Sequence, residues 1–277
     1  MMRKGFCNHA VVGVIEAILL IGLLAIILST VQLIYVPQLM EDREVSHMDD
    51  VAKQFAQLKF AVDLQACGLT NTSISTPITL GSREIPYLIT ARAFGSIYVV
   101  SDACTVTVNV NSQSYTYNLG DIVYNADNAY YEKQSYVLEC GAVILAQQDN
   151  DGTETMLAAP TLSSHLTGSN LDISFLLLNI SGYADRTSVQ SSLETTYIRT
   201  NYSSSSSTDF TDVSSITIST SYPNAWYKFL NASLDNDAVE VTLLPQSVRI
   251  TPQDGYTIDL SLDVVKVCAQ IGLGWMG

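Results

Sequence analysis

Hydrophobic and polar positions fall into three regimes along the chain. Residues 10–36, AVVGVIEAILLIGLLAIILSTVQLIYV, hold no Lys, Arg or Asp and a single acid, Glu16. As a helix the stretch would extend roughly 40 Å at about 1.5 Å per residue, enough to cross a hydrocarbon core of about 30 Å with some tilt. The second regime begins at Pro37, which lacks an N–H and crowds the preceding turn, so it predicts an end or a kink. Beyond it Met48, Val51, Phe55, Leu58 and Val62 recur at alternating spacings of 3 and 4, the stripe of an amphipathic helix, with Gly68 as its stop. The stripe is expected to pack on the protein's own outer domain, with a self-association seam between stalks as the alternative.

The third regime, residues 68–277, is rich in Ser, Thr, Tyr, Val and Ile and alternates with period two. Thr105–Val110 and Ser114–Leu119 predict two strands joined by a hairpin at Asn111-Ser112-Gln113. Further strands are expected at Ile85–Thr90, Ser96–Val100, Ser135–Leu145, Asp172–Leu178, Ser214–Thr220, Val239–Leu244, Ser247–Thr251 and Tyr256–Val267. After Pro223, Asn224 is read as the cap of a helix carrying Ala225, Trp226, Phe229, Leu230 and Leu234 on one face. The serine run within Asn201–Thr208 reads as an exposed loop. The expected fold class is mainly β with a long N-terminal α-helix: a transmembrane helix and stalk, then an antiparallel β-sandwich-like outer domain with one covering helix. The corresponding domains are a basic leader at 1–9, the transmembrane helix at 10–36, the stalk at 37–67 and the β-rich domain at 68–277.

Charge sharpens this picture. The 277 residues carry 13 Lys+Arg against 27 Asp+Glu, a net charge of −14. Nucleic acid is therefore excluded as a partner, because its binders need a basic face. Arg3 and Lys4 precede the apolar run, while Glu41, Asp42 and Glu44 follow it. The positive-inside rule then places the N-terminus in the cytoplasm and residues beyond the helix outside, a single pass through the cell membrane. A cleaved secretory signal has a shorter apolar core and a small-residue site, unlike this run followed by Pro37-Gln38-Leu39-Met40.

The segment Arg3-Lys4-Gly5-Phe6, then Ala10 to Glu16, then an unbroken apolar run resembles the N-terminus of archaeal type IV pilin-like proteins. That resemblance implies a membrane anchor, a prepilin-type peptidase acting in the region of Gly5 and Phe6, and packing against like subunits through the N-terminal helix. It makes Glu16 the candidate assembly residue. The stretch from Tyr124 to Leu162 and the later Asn-Ala-Trp-Tyr helix look similar to archaeal surface proteins with pilin-like N-termini, a likeness that carries no activity with it.

Candidate chemistry is sparse. Four sequons, at Asn71, Asn179, Asn201 and Asn231, are glycosylation candidates on an outward-facing chain, Asn201 foremost. Cys67, Cys104, Cys140 and Cys268 are disulfide candidates outside the membrane, read as 104–140 with 67–268, while Cys7 stays apart. Asp149 to Glu154 lacks the ligand spacing of a calcium loop and reads as a turn on Asp151-Gly152. The C-terminal Gly272 to Gly277 matches a nucleotide fingerprint as text but precedes no helix. The three histidines, His9, His47 and His165, fit no nucleophile or zinc motif. Tyr115, Tyr117, Tyr124, Tyr130, Tyr131 and Tyr136 form a cluster that is read first as strand packing and second as a contact face for sugar or protein. The sequence therefore predicts a protein without enzymatic activity, cofactor or metal: a pilin-like subunit or pilus-associated component of an archaeal envelope. The alternative is an anchored adhesin or receptor that never enters a filament.

Overall fold

The computed structural model describes residues 8–83, 90–147, 153–183 and 189–272. Arg3, Lys4, Gly5, Phe6, Cys7, most of the strand expected at 85–90, the turn at Asp151-Gly152 and most of the C-terminal glycine motif lie outside them.

The chain enters as α1 (Asn8–Thr30), passes through one π-helical turn (Val31–Tyr35), and continues as α2 (Val36–Gly68). It therefore stays helical through Pro37, where the sequence predicted an end or a kink. The Val36 N–H reaches back five residues to the Val31 carbonyl. Widening the turn in this way accommodates a proline ring that would otherwise crowd the carbonyl four residues back. At the far end Leu69, not Gly68, takes the left-handed cap position, with φ 47° and its N–H on the Gln65 carbonyl.

Fourteen described strands follow. They are β1 (Ile74–Thr79), β2 (Phe94–Val110), β3 (Gln113–Asp127), β4 (Gln134–Glu139), β5 (Ala142–Gln147), β6 (Glu154–Ala158) and β7 (Leu162–Thr167), then β8 (Asn170–Gly182), β9 (Val189–Ser192), β10 (Thr195–Phe210), β11 (Val213–Ser219), β12 (Val239–Leu244), β13 (Ser247–Pro252) and β14 (Thr257–Ile271). Helix α3 (Pro223–Ser233) interrupts them after β11. One sheet has the order β1-β10-β14-β8-β7, the other β12-β13-β11-β2-β3-β4-β5-β6 with β9 also on β2. The fold is thus mainly β with one long N-terminal helix, as the alternation predicted. Pairing is antiparallel except between β8 and β14, which run parallel from Asn170–Thr257 to Gly182–Ala269.

Two hydrophobic cores share these strands. The α2 core takes the predicted stripe of Met48, Val51, Phe55, Leu58 and Val62, all at most 2 % exposed, together with Ile97, Val99, Tyr124, Tyr136, Leu138, Val265 and Val267. The α3 core takes Trp226 and Leu230 with Val106, Val108, Val137, Ile173, Phe175, Leu260 and Leu262. Alternate residues of β4 belong to different cores, Tyr136 and Leu138 to one and Val137 to the other, so all six of its residues are buried. Long strands change the face they bury as they pass from one core to the other. β8 buries Leu171, Ile173, Phe175 and Leu177 at one end, then Leu178 and Ile180 on its opposite face. Helix α2 is therefore part of the β domain rather than a separate stalk.

Turns and crossings fix this geometry. The β2–β3 hairpin closes on Asn111 and Ser112, both at positive φ (46° and 67°), the two-residue turn that suits twisted strands. The serine run is not a loop. Ser204 to Thr208 continue β10 and pair with Lys266 to Leu262 of β14, after a bulge at Tyr202/Ser204. Where β3 crosses β8, a Cβ on Gly120 would lie 2.1 Å from the Ile180 carbonyl oxygen and 2.8 Å from that of Val100. Gly120→Ala should therefore destabilise the domain by about 2–3 kcal/mol, as an overpacked site flanked by backbone. Urea unfolding of the purified variant measures this, and an unchanged midpoint would place the strands farther apart than described.

Candidate functional site

Four places in the molecule carry chemistry or surface that the fold alone does not require. The first is the apolar half of the N-terminal helix. Every residue from Gly13 to Thr30 is exposed, and the helix reaches a mean hydropathy of 2.7 over its most apolar window. It is the one helix among the described residues long and apolar enough to cross a membrane. An apolar surface on all sides of a helix calls for lipid or for other apolar helices around it. Glu16 is exposed on this helix beside Ile15.

The second is the joint between helix and β domain. Glu44, read from sequence as a flanking charge, is fully buried. Its carboxylate accepts the backbone N–H groups of Ala129, Tyr130 and Tyr131 at 3.1, 2.8 and 2.7 Å. Three charge-assisted bonds hold the β3–β4 loop to α2. One turn on, His47 Nε2 lies 3.2 Å from the Tyr124 hydroxyl, which donates to the Leu80 carbonyl at 2.7 Å. Burial pulls the His47 imidazole below its usual value, so it stays neutral near pH 7. The Tyr136 hydroxyl donates to the Met48 carbonyl at 3.1 Å, and burial pushes that phenol up to about 12. Tyr124 and Tyr136, two members of the tyrosine cluster, are thus packing beneath α2 rather than part of an open face. At the helix end, Gln65 Nε2 donates to Thr72 and Thr200 carbonyls at 2.7 and 2.8 Å.

The third is a buried acid pair. Asp121 on β3 stands across from Glu139 on β4, one step beyond the Ile122–Leu138 pair, and each is 1 % exposed. Glu139 Oε1 accepts from the Thr220 hydroxyl at 2.7 Å and from Trp226 Nε1 at 2.6 Å. Asp121 Oδ1 is buried without a hydrogen-bond partner among the described residues. Burial, then the neighbouring Glu139 charge, hold the Asp121 carboxyl well above the usual carboxylate range. Asp121 is accordingly the protonated partner and Glu139 the acceptor of its donors. Cys104 and Cys140 belong to the same core, both fully buried, with thiols pushed up by burial. This cluster has no opening to solvent and links β3, β4, β11 and α3.

A groove of about 460 Å³ lies on the outer side of β7, β8, β14 and β10, where His165, Asp172, Asp259 and Asp209 sit beside serines. The acids are held within the protein. Asp259 accepts from Asn170 and the Asp212 N–H, Asp172 from Asn170, and Asp209 from Ser261. His165 on β7 stands directly across from Asp172 on β8. No group of three or more His, Cys, Asp or Glu among the described residues is placed to hold a metal ion.

Several sequence-level expectations change here. All four outer cysteines are free thiols, so neither expected disulfide is present. Cys104 and Cys140 pack as small apolar side chains in the α3 core. Cys67 and Cys268 are separated by strand alternation: Val267 and Ala269 face α2, so Cys268 points away from it, bonding Ser181 at 3.7 Å. Of the sequons, Asn71 and Asn231 are exposed. The Asn179 amide is bonded to Gly120 N–H and the Asn118 carbonyl at 3.1 and 3.2 Å. Asn201, the favoured glycan site, is half-buried on β10, with its Oδ1 enclosed. Asn224 is not the cap of α3. The Glu154 carboxylate of β6 accepts the N–H groups of Asn224 and Ala225 at 2.8 and 3.3 Å and fills that role.

Glu44, Asp121, Glu139 and Glu154 are the residues that sequence reading missed. For Glu139 the available signal was an acid closing a strand directly after Tyr136, Val137 and Leu138; Asp121 lies in the middle of β3 and carried no such signal. No curated protein and no solved structure matches the chain. Residues 10–254 match the model of a family of unknown function, DUF7289, and the chain belongs to that family.

Proposed function

We propose that the protein is a non-enzymatic component of the cell envelope, a pilin-like subunit or pilus-associated protein. It would hold its β domain outside a membrane crossed once by its N-terminal helix. The observation that carries this reading is a single helical rod with two unlike halves. Its first half is apolar and exposed on every side, while its second half is built into the core of a β domain. Such a rod transmits the position of the anchor to the domain without a flexible linker. The basic Arg3-Lys4 before the helix and the acids Glu41 and Asp42 after it support an N-in, C-out orientation. The N-terminal resemblance to pilin-like proteins supports leader removal near Gly5 and Phe6 and an assembly role for Glu16. An anchored adhesin or receptor is the second reading, and the serine- and aspartate-lined groove on the five-stranded sheet favours it.

Mass spectrometry of the mature N-terminal peptide, from cells that make the protein naturally, separates the two. A new terminus between Phe6 and Val12, with the protein recovered in sheared filaments, is the expected result. An intact Met1 or Met2, with recovery only in membranes, would overturn the filament reading and leave the adhesin.

A further inference from the structure

The groove on the five-stranded sheet carries a lattice of short polar side chains set out by the strand registers. His165 on β7 stands across from Asp172 on β8, and Asp172 across from Asp259 on β14. Two residues along the strands, Ser163, Ser174, Ser261 and Asp209 form a second row across β7, β8, β14 and β10. All of these side chains line the groove. Neighbouring strands lie about 4.8 Å apart, so the longer row spans about 14 Å, with about 7 Å between the rows. We propose that the groove binds an extended, uncharged polysaccharide, a β-1,4-linked hexose ribbon laid across the strands. The proposal gives the adhesin reading its ligand class and rests on that reading for its setting at the cell surface.

The chemistry of the lining selects this ligand. Among the described residues the lining holds no Lys or Arg, and its three carboxylates repel an anion. The acids do not converge on a point: no group of three or more His, Cys, Asp or Glu among the described residues is placed to hold a metal ion. What the groove offers instead is a line of acceptors and hydroxyls spread over the length of several sugars. Bonds within the protein fix the side chains in place. Asp172 Oδ1 accepts from Asn170 at 3.1 Å and Asp209 Oδ1 from the Ser261 hydroxyl at 2.8 Å. Asp259 accepts from Asn170 at 2.9 Å and from the Asp212 N–H at 3.1 Å. A carboxylate has about four acceptor positions, so each keeps capacity for ligand hydroxyls. Short side chains held on a paired sheet lose little freedom on binding, which makes the lattice preorganised. The strand spacing is close to one hexose step of a β-1,4 ribbon, so successive sugars meet successive strands. An α-1,4 chain coils and loses that match after a residue or two. At the β10 end Phe210 lines the groove, its ring 4.9 Å from that of Tyr115, an apolar stop for the C–H face of a sugar.

Calorimetric titration of the full-length protein with cellohexaose, in a sugar-free detergent with EDTA present, is the test. Saturable binding is expected, with maltohexaose at least tenfold weaker. Ser174→Leu removes a hydroxyl from the middle of the longer row and fills its place with apolar bulk. It should weaken cellohexaose binding at least tenfold, with urea unfolding unchanged because Ser174 is exposed. Protein with the native urea midpoint that does not bind cellohexaose overturns the proposal. So does binding that is equal for the two hexaoses or indifferent to Ser174→Leu. Binding that requires added calcium would make the groove a cation site and also overturn it. None of these outcomes touches the filament reading, which the mature N-terminal peptide decides separately.

Discussion

Phe55→Ala lowers the stability of the whole β domain by about 3–5 kcal/mol, the range for truncating a fully buried phenylalanine. Phe55 is completely buried, and its ring lies 6.3 Å from that of Tyr124 and 5.7 Å from that of Tyr136. Those tyrosines cannot move into the space, because the hydroxyl of each is tied to a carbonyl, at Leu80 and Met48. The cavity therefore persists instead of collapsing, which puts the cost at the upper part of the range. The effect should reach the other core. Tyr136 sits on β4, whose Val137 packs with the α3 side, so the two cores are expected to unfold together. Trp226, buried in the α3 core, reports on this by fluorescence once Trp275 is replaced with Phe. The urea midpoint seen by Trp226 should fall in Phe55→Ala. A Trp226 transition that stayed in place would mean that α2 detaches alone. Phe60→Ala, on the exposed face of the same helix, should change stability by less than about 0.5 kcal/mol.

What could be read from the sequence follows the physics of each element. The long apolar helix was legible because it is an uninterrupted apolar run, and the inner stripe of α2 because a helix buried on one side repeats every three to four residues. The β class was legible from alternation in Thr105–Val110, where one side of the strand is buried and the other is not, and in Ser114–Leu119, whose alternation ends on the buried Leu119. Alternation is lost where that condition fails. The β4 strand is buried on both faces, so its sequence QSYVLE gives no period. The serine run of β10 is exposed on both faces and is a strand only because β14 pairs with it. The parallel pairing of β8 and β14 joins segments nearly ninety residues apart, and nothing local announces it. The same distance problem hid the buried acids. Glu44 looks like any charge flanking an anchor until the β3–β4 loop brings three N–H groups to it. The expectation of a Cys67–Cys268 bridge failed on strand parity, which depends on a register that composition does not contain. Gly120 is one glycine among 15, distinguished only by a crossing that forms in the folded state.

Glu139→Ala should cost about 3–5 kcal/mol, more than a surface acid by an order of magnitude. It leaves the Trp226 Nε1–H and the Thr220 hydroxyl buried without an acceptor, at about 1–3 kcal/mol each, and adds a void in the α3 core. Its partner gives the protein a pH dependence of defined sign. Asp121 holds its proton in the folded state well above the value at which an unfolded aspartate releases it. Between those two values the folded chain binds one more proton than the unfolded chain, so stability falls as pH rises, by about 1.4 kcal/mol per pH unit. The stabilisation is complete below the unfolded aspartate range near pH 4 and is lost as pH climbs through the raised value. Glu139, also raised by burial, adds to the same trend. Asp121→Asn replaces the acid with a neutral group of the same shape that never ionises. Urea midpoints measured from pH 4 upward should therefore slope downward in the native protein and less steeply in Asp121→Asn, where only Glu139 of the pair still titrates, with the variant the more stable of the two above neutrality. A native profile that rises across that interval would mean that both carboxyls are ionised in the fold and that a cation compensates them. The pair makes the α3 core most secure in acid, through a proton that only the folded β3–β4 geometry retains.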